Sequence, residues 1–289
     1  MADRQNDQEA KHFKFTQVRT PQYNLLYVLF LVAALVLCAC GETAEPEEKE
    51  LRNSNAYADA LASLSRGEPV LIVLLDGFGY MQYEQALADD CAPYLASLPP
   101  AQVARTYYPP ISPVGLAAMV TGEGPEKNGI RERGDMNLLV KDVFSEAAEK
   151  GRTSVLIEGD IKLINTSCEP LLHVDVDGDF LTDSEVFATA LYEIEMGTDL
   201  IFVHFHGIDD RAHEFGPMSP EAMERVTALD AYLAEFAARF SGDIIITADH
   251  GLHETTPAEA EGDDMPSIGT HGADIPEDML VPYIYLTVE

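Results

Sequence analysis

Tryptophan is absent, cysteine occurs four times, and lysine and arginine together number 18 against 50 aspartates and glutamates. So few cysteines in 289 residues exclude a small disulfide-scaffolded domain. The formal charge of −32 excludes a mainly electrostatic grip on nucleic acid or anionic lipid, and no nucleic-acid surface is expected. A phosphate-bearing substrate would need positive charge brought in locally, most economically by a metal. Apolar residues still make up 46% of the chain, enough to bury at least one sizeable core.

The only long apolar run, Leu25 to Leu37, is shorter than the roughly 20 residues that a membrane-spanning helix prefers. A polar stretch with Lys11, Lys14 and Arg19 precedes it and small residues follow, the pattern of a secretory signal. Leu37-Cys38-Ala39-Cys40 resembles a bacterial lipobox, which implies lipidation of Cys40 and attachment to a lipid bilayer. An uncleaved signal anchor is the alternative, and both place the remainder outside the cytoplasm. Residues 1–39 therefore read as a lipoprotein-type signal segment, acidic residues 40–55 as a tether, and residues 56–289 as the folded domain.

Within that domain apolar runs alternate with helical patterns. Pro69–Leu75, Ser154–Ile157, Leu171–Val176, Leu200–Phe205, Asp243–Ala248 and Pro282–Val288 predict strands, the first a continuous run of the kind buried on both faces of a parallel sheet. Helices are predicted over Asp142–Lys150, Asp183–Met196 and Ser219–Phe240, the last opened by Ser219 as cap and Pro220 at the first helical position. The order predicts an α/β fold, a three-layer αβα sandwich around a mostly parallel central sheet, with ligands at the carboxyl ends of its strands.

Those strand ends carry acids and histidines: Asp76, Asp209 with His213, Asp249 with His250, and His271 before the last strand. Carboxylates mixed with imidazoles suit zinc, with manganese as competitor, and six such groups suffice for two ions. Leu74-Leu75-Asp76-Gly77, Asp209-x-x-x-His213-x-x-Gly216-Pro217, Thr247-Ala248-Asp249-His250-Gly251 and Thr270-His271-Gly272, in this order, resemble the alkaline phosphatase superfamily, in particular its type I phosphodiesterase and nucleotide pyrophosphatase branch. The resemblance spans Val70 to Ile284 and implies an alkaline-phosphatase-like catalytic domain.

The resemblance further implies a nucleophile ten residues before the glycine of Thr121-Gly122, which is Ser112, at the start of a helix that it is also suited to cap. It makes Asp76, Asp249 and His250 the ligands of one divalent metal, which also binds Ser112, and Asp209, His213 and His271 the ligands of a second. The implied activity is hydrolysis of phosphoric esters, diesters ahead of monoesters, on a small-molecule substrate. A head-group transferase, a phosphomonoesterase and a catalytically decayed metal-binding lipoprotein are the alternatives, and no protein partner is inferred. Two departures stand out: Gly115 replaces an asparagine common in that branch, and Pro113 has no N–H, leaving the amides of Val114 and Gly115 to meet a phosphate. Arg211 is the one cation within the motifs and is expected to pair with Asp210, with Arg105 more remote. His204 and His206 read as satisfied core residues or as outer partners of the ligands, and His253 opens an acidic loop over 254–269 beside the site.

Overall fold

The computed structural model describes residues 50–261 and 266–289. The signal segment, Cys40 and the tether up to residue 49 lie outside the described residues. No helix among the described residues is long and apolar enough to cross a membrane.

A seven-stranded sheet organises the folded body. In chain order the elements are α1 (Asn55–Arg66), β1 (Val70–Leu75), α2 (Tyr80–Ala88), α3 (Pro93–Ser97), β2 (Gln102–Arg105), α4 (Ser112–Thr121), α5 (Pro125–Asn128), α6 (Val143–Glu149), β3 (Ser154–Glu158) and β4 (Leu171–Leu172). There follow α7 (Asp183–Met196), β5 (Leu200–Phe205), α8 (Gly207–Phe215), α9 (Pro220–Arg239), β6 (Gly242–Thr247), β7 (His253–Glu254), β8 (Gly269–Thr270), α10 (Pro276–Met279) and β9 (Leu280–Val288). The sheet runs β2-β9-β6-β1-β5-β3-β4. β6, β1, β5, β3 and β4 are mutually parallel, while β9 is antiparallel to both β6 and β2. β1 is central, with Val70 opposite Leu200 on one side and Asp243 on the other. Every residue of β1, β5 and β6 is buried, as continuous apolar runs in a sheet covered on both faces require.

Helix ends obey local chemistry. Asp142 caps α6 by accepting a hydrogen bond from the Ser145 amide, and Ser219 caps α9 by accepting one from Ala222. α7 stops at Gly197, which is left-handed with φ 73°.

Two expectations need correction. The tether does not extend to residue 55: Asn53 is fully buried and Arg52 bridges to Arg105, so the folded body begins at Glu50. The strand expected over Leu171–Val176 shrinks to two exposed edge residues, because His173 turns to donate from Nδ1 to the Glu158 carbonyl at 2.9 Å. The sheet is mostly parallel, as expected, and its antiparallel strand is the last, β9. Cys91 and Cys168 are unpaired.

Candidate active site

Because β6, β1 and β5 are parallel neighbours, their carboxyl ends lie side by side and deliver Asp76, Asp249, His250 and the α8 residues to one edge of the sheet. Asp183 fixes the entry to α8: its Oδ1 accepts from the amides of His206 and Gly207 at 3.1 and 3.2 Å, and its Oδ2 meets Arg225 Nε at 3.1 Å. That anchoring aims Asp209 and His213, one turn apart, at the strand ends.

Asp76, Asp249 and His250 are essentially buried and form one cluster of possible metal ligands. His250 Nε2 lies 3.4 Å from Asp76 Oδ1 and 3.5 Å from Asp249 Oδ2. Asp209, His250 and His271 form a second cluster, with His250 and His271 stacked at 3.8 Å. His213 joins it through Nε2, which is 3.3 Å from Asp209 Oδ2. All six strand-end residues are thus brought together, with His250 shared between the two clusters.

The three histidines share one orientation. Nδ1 of His213 faces the Gly269 carbonyl at 2.8 Å, that of His250 faces Gly251 at 3.1 Å, and that of His271 faces Pro110 at 2.7 Å. With each Nδ1–H donated to a carbonyl, Nε2 of the neutral ring is left as an acceptor facing the site, the arrangement of a histidine that ligates a metal. Asp209 Oδ1 and Asp249 Oδ2 are buried without a hydrogen-bond partner. Orphaned carboxylate oxygens opposite bare imidazole nitrogens fit divalent cations.

Electrostatics agree. Burial and the neighbouring Asp76 carboxylate push Asp249 well above the usual carboxylate range. Burial opposes ionisation of Asp76 too, but its hydrogen bonds to His204 and His206 hold it well below that range. His213 is raised to about 9 by its hydrogen bond to Asp209, whereas burial and then His250 push His271 down to about 3. A cation at these oxygens would relieve the repulsion around Asp249 and release the His213 proton.

Ser112 is the first residue of α4, and its hydroxyl makes no capping bond. Its Oγ instead lies 3.2 Å from His250 Nε2 and 3.4 Å from Asp76 Oδ1. The expected capping role is absent because the Ile111 carbonyl takes the Val114 and Gly115 amides, both at 3.0 Å. The same bonds remove those amides from the role of phosphate donors. Gly115 has a steric cause: a Cβ there would lie 2.5 Å from Asp249 Cβ and 2.6 Å from its carbonyl oxygen. No asparagine fits where α4 presses on a ligand. Gly77, with φ +71°, is required for a similar reason, since its Cβ would meet Asp209 Oδ1 at 2.8 Å.

Of the two readings of His204 and His206, the structure favours outer partners of the ligands, since both rings meet Asp76 as well as Glu158. Arg211 pairs with Glu214 and the Asp179 carbonyl, both at 3.0 Å, rather than with Asp210, and Arg105 is held by Asp274 at 2.6 Å. Arg133 does reach the site: its Nη2 lies 3.1 Å from His271 Nε2. Nothing in its local sequence marks it, whereas Glu158 could have been found as one more acid ending an apolar run.

A family model described as type I phosphodiesterase/nucleotide pyrophosphatase matches residues 164–265, from ahead of β4 into the loop past β7. No curated protein gives a significant sequence match. Among solved structures, murine ectonucleotide pyrophosphatase/phosphodiesterase 5, including an inactive form in complex with AMP, is 13% identical over 75% of this chain and 87% of that one, with a TM-score of 0.57 in the complex. Its human counterpart gives the same identity and coverage with a TM-score of 0.58. Phosphonoacetate hydrolase from Sinorhizobium meliloti 1021, in complex with phosphonoformate, is 16% identical over 67% of this chain and 58% of that one, with a TM-score of 0.54. The chain shares the fold of these solved structures, and over residues 164–265 it matches the family model of type I phosphodiesterase/nucleotide pyrophosphatase.

Proposed function

We propose that this protein is a metal-dependent hydrolase of phosphoric esters that uses Ser112 as nucleophile, prefers diesters to monoesters, and works outside the cytoplasm on a bilayer to which lipidated Cys40 tethers it. The observation that carries the reading is a buried serine hydroxyl at the amino end of α4 that makes no capping bond and lies 3.2 Å from His250 Nε2 and 3.4 Å from Asp76 Oδ1. The family match over 164–265 supports phosphoester chemistry.

Asp76, Asp249, His250 and Ser112 would hold one divalent ion, and Asp209, His213 and His271 the other. Zinc suits this mixture of oxygen and nitrogen donors, with manganese next. Such ions supply charge stabilisation to phosphoryl oxygens and to the entering and leaving oxygens of an in-line displacement. The chain's own part begins with Ser112. Its Oγ attacks phosphorus, the Oγ–phosphorus bond forms as the bond to the leaving alcohol breaks, and the Oγ proton passes through solvent to the departing oxygen, since Asp76 and His250 would be committed to the ion. Water then attacks phosphorus, and the Oγ–phosphorus bond breaks to regenerate the serine. Two divalent ions against the carboxylates of Asp76, Asp209 and Asp249 leave one net positive charge, which matches the single negative charge of a diester.

Arg133 favours a second reading, phosphomonoester preference. A guanidinium 3.1 Å from His271 Nε2 borders the site and can pair with the extra nonbridging charge of a monoester. Matched aryl diester and monoester substrates, assayed with zinc and with chelator, separate the two readings. Activity that survives both complete chelation and Ser112→Ala would overturn the hydrolase mechanism altogether.

A further inference from the structure

His250 and His271, whose rings stack at 3.8 Å, stand on separate loops, and something must hold those loops in register. The ladder between them, β7 with β8, pairs only His253 with Thr270 and Glu254 with Gly269. A two-stranded ladder so short is not rigid by itself.

Asp278, in α10, supplies the missing constraint. Its backbone carbonyl accepts the amide of Gly251, the residue after His250, at 2.9 Å. Its Oδ2 accepts the amides of Gly272 and Ala273, the two residues after His271, both at 2.9 Å. Its Oδ1 meets His253 Nδ1 at 2.7 Å. One fully buried residue thus gathers four nitrogens from the two ligand loops. A carboxylate suits the task, because one oxygen has lone pairs for two consecutive amides while the other stays free for the imidazole. Two peptide planes fixed directly after His271 also fix the direction in which its ring leaves the backbone. The contact is close as well as hydrogen-bonded. A Cβ on Gly251 would collide with the Glu277 carbonyl oxygen and with Gly79 Cα, so α10 can lie against the His250 loop only because position 251 is glycine. The clamp is itself anchored to the sheet, since the Thr106 amide donates to the Met279 carbonyl at 2.9 Å and β9 begins at Leu280.

We propose that Asp278 is a positioning residue of this site: by holding the segments after His250 and His271 against α10, it sets the spacing of the two ligand rings before a metal arrives. The proposal rests on the hydrolase reading for the roles of His250 and His271. Asp278 acts through the backbone of the ligand loops.

The test compares Asp278→Ala, Asp278→Asn and Asp230→Ala in the full chain in detergent. Asp230 is a control of the same kind, a buried aspartate that accepts two consecutive amides, those of Tyr94 and Leu95 at 2.8 Å each, on elements that carry no ligand. Zinc affinity is read by competition with a chromophoric chelator, and kcat on an aryl phosphodiester. Asp278→Ala is expected to weaken the less tightly held zinc, and to lower kcat, by about tenfold or more. Asp278→Asn keeps a carbonyl oxygen for the two amides, and its NH2 can meet His253 once that ring carries its hydrogen on Nε2, toward Glu259. It should therefore restore both quantities to within about threefold of wild type. Asp230→Ala should lower the melting temperature and leave zinc affinity unchanged. Wild-type zinc affinity in Asp278→Ala overturns the proposal, and so does an equal loss in Asp230→Ala at a matched melting temperature, because the effect is then one of stability alone. Hydrogen exchange on metal-free wild type needs no variant. Protection of the Gly251, Gly272 and Ala273 amides supports the preset spacing, and exchange as fast as in a free loop overturns it even if Asp278→Ala does not fold. The zinc measurement needs no turnover, so a wild type that binds zinc yet hydrolyses neither diester nor monoester overturns the hydrolase reading alone.

Discussion

Substituting Gly115 with alanine tests how tightly α4 is pressed against the metal-ligand loop. The added Cβ would sit 2.5 Å from Asp249 Cβ, 2.6 Å from the Asp249 carbonyl oxygen and 2.8 Å from its Cα. Carbon atoms pack at roughly 3.5–4.0 Å, so α4 and the Asp249 backbone must part by about 1 Å. Neither partner is a flexible side-chain tip, and overpacking of this kind costs about 1–3 kcal/mol. Against that stands the helix propensity gained by replacing glycine with alanine, about 1 kcal/mol. The net expectation is a destabilisation of about 0–2 kcal/mol, seen in thermal unfolding. The larger effect falls on chemistry. Ser112 lies three residues earlier on the same helix, and a displacement of about 1 Å between nucleophile and metal ligands costs on the order of 100-fold in rate. The assay is kcat/KM on an aryl phosphodiester with saturating zinc, beside a melt of the same sample. Full activity together with an unchanged melting temperature would refute the argument that this contact sets the spacing between Ser112 and Asp249.

Ser112→Ala should retain bound metal yet lose at least about 1000-fold in kcat, since nucleophile and ligand roles then separate; unchanged turnover would move the nucleophile elsewhere. Arg133→Ala should leave diester turnover within about threefold while lowering monoester kcat/KM by more than about tenfold, the loss expected when a charge-assisted contact of 1.5–3 kcal/mol is removed; equal losses on both substrates would deny it a role in selectivity. His253 bridges Asp278 at 2.7 Å and Glu259 at 3.1 Å, and although burial opposes its protonation these carboxylates raise it overall. The stability it lends the following loop is therefore fully present below about pH 6.5, the ordinary histidine value, and is lost as pH rises through the raised folded value. Hydrogen exchange over residues 254–261 should speed up across that window beyond its intrinsic pH dependence, and His253→Asn should abolish the excess. Mass spectrometry of the mature amino terminus should find a diacylglycerol-modified Cys40 that Cys40→Ala eliminates; recovery of residues 1–39 attached to the chain would favour the uncleaved anchor instead.

Much of the site was legible because apolar runs and acids alternate in register with the sheet. Val70–Leu75 followed by Asp76, and Gly242–Thr247 followed shortly by Asp249 and His250, announce strands with ligands at their ends. Asp209 and His213 were legible by the spacing of one helical turn. What stayed hidden depends on through-space neighbours. Gly115 reads as a missing asparagine until Asp249 is seen against it. His204 and His206 look like alternating core residues until Glu158, from the adjacent strand, closes on both. Arg133 reaches His271 across 138 positions of chain, and α1 escaped notice because the acidic segment before it masks where packing starts. The antiparallel sense of β9 follows from where the chain re-enters the sheet, information that no local pattern holds.

The placement of β9 sets a timetable for assembly. β6, which leads into Asp249 and His250, lies between β1 and β9, so one complete flank of its hydrogen bonding is supplied by Leu280–Val288. A nascent chain emerging from its amino end exposes Asp76 early, but His271 and the strand that secures β6 emerge only after β6 itself. The two candidate ligand clusters therefore come together only after His271 and β9 have been made.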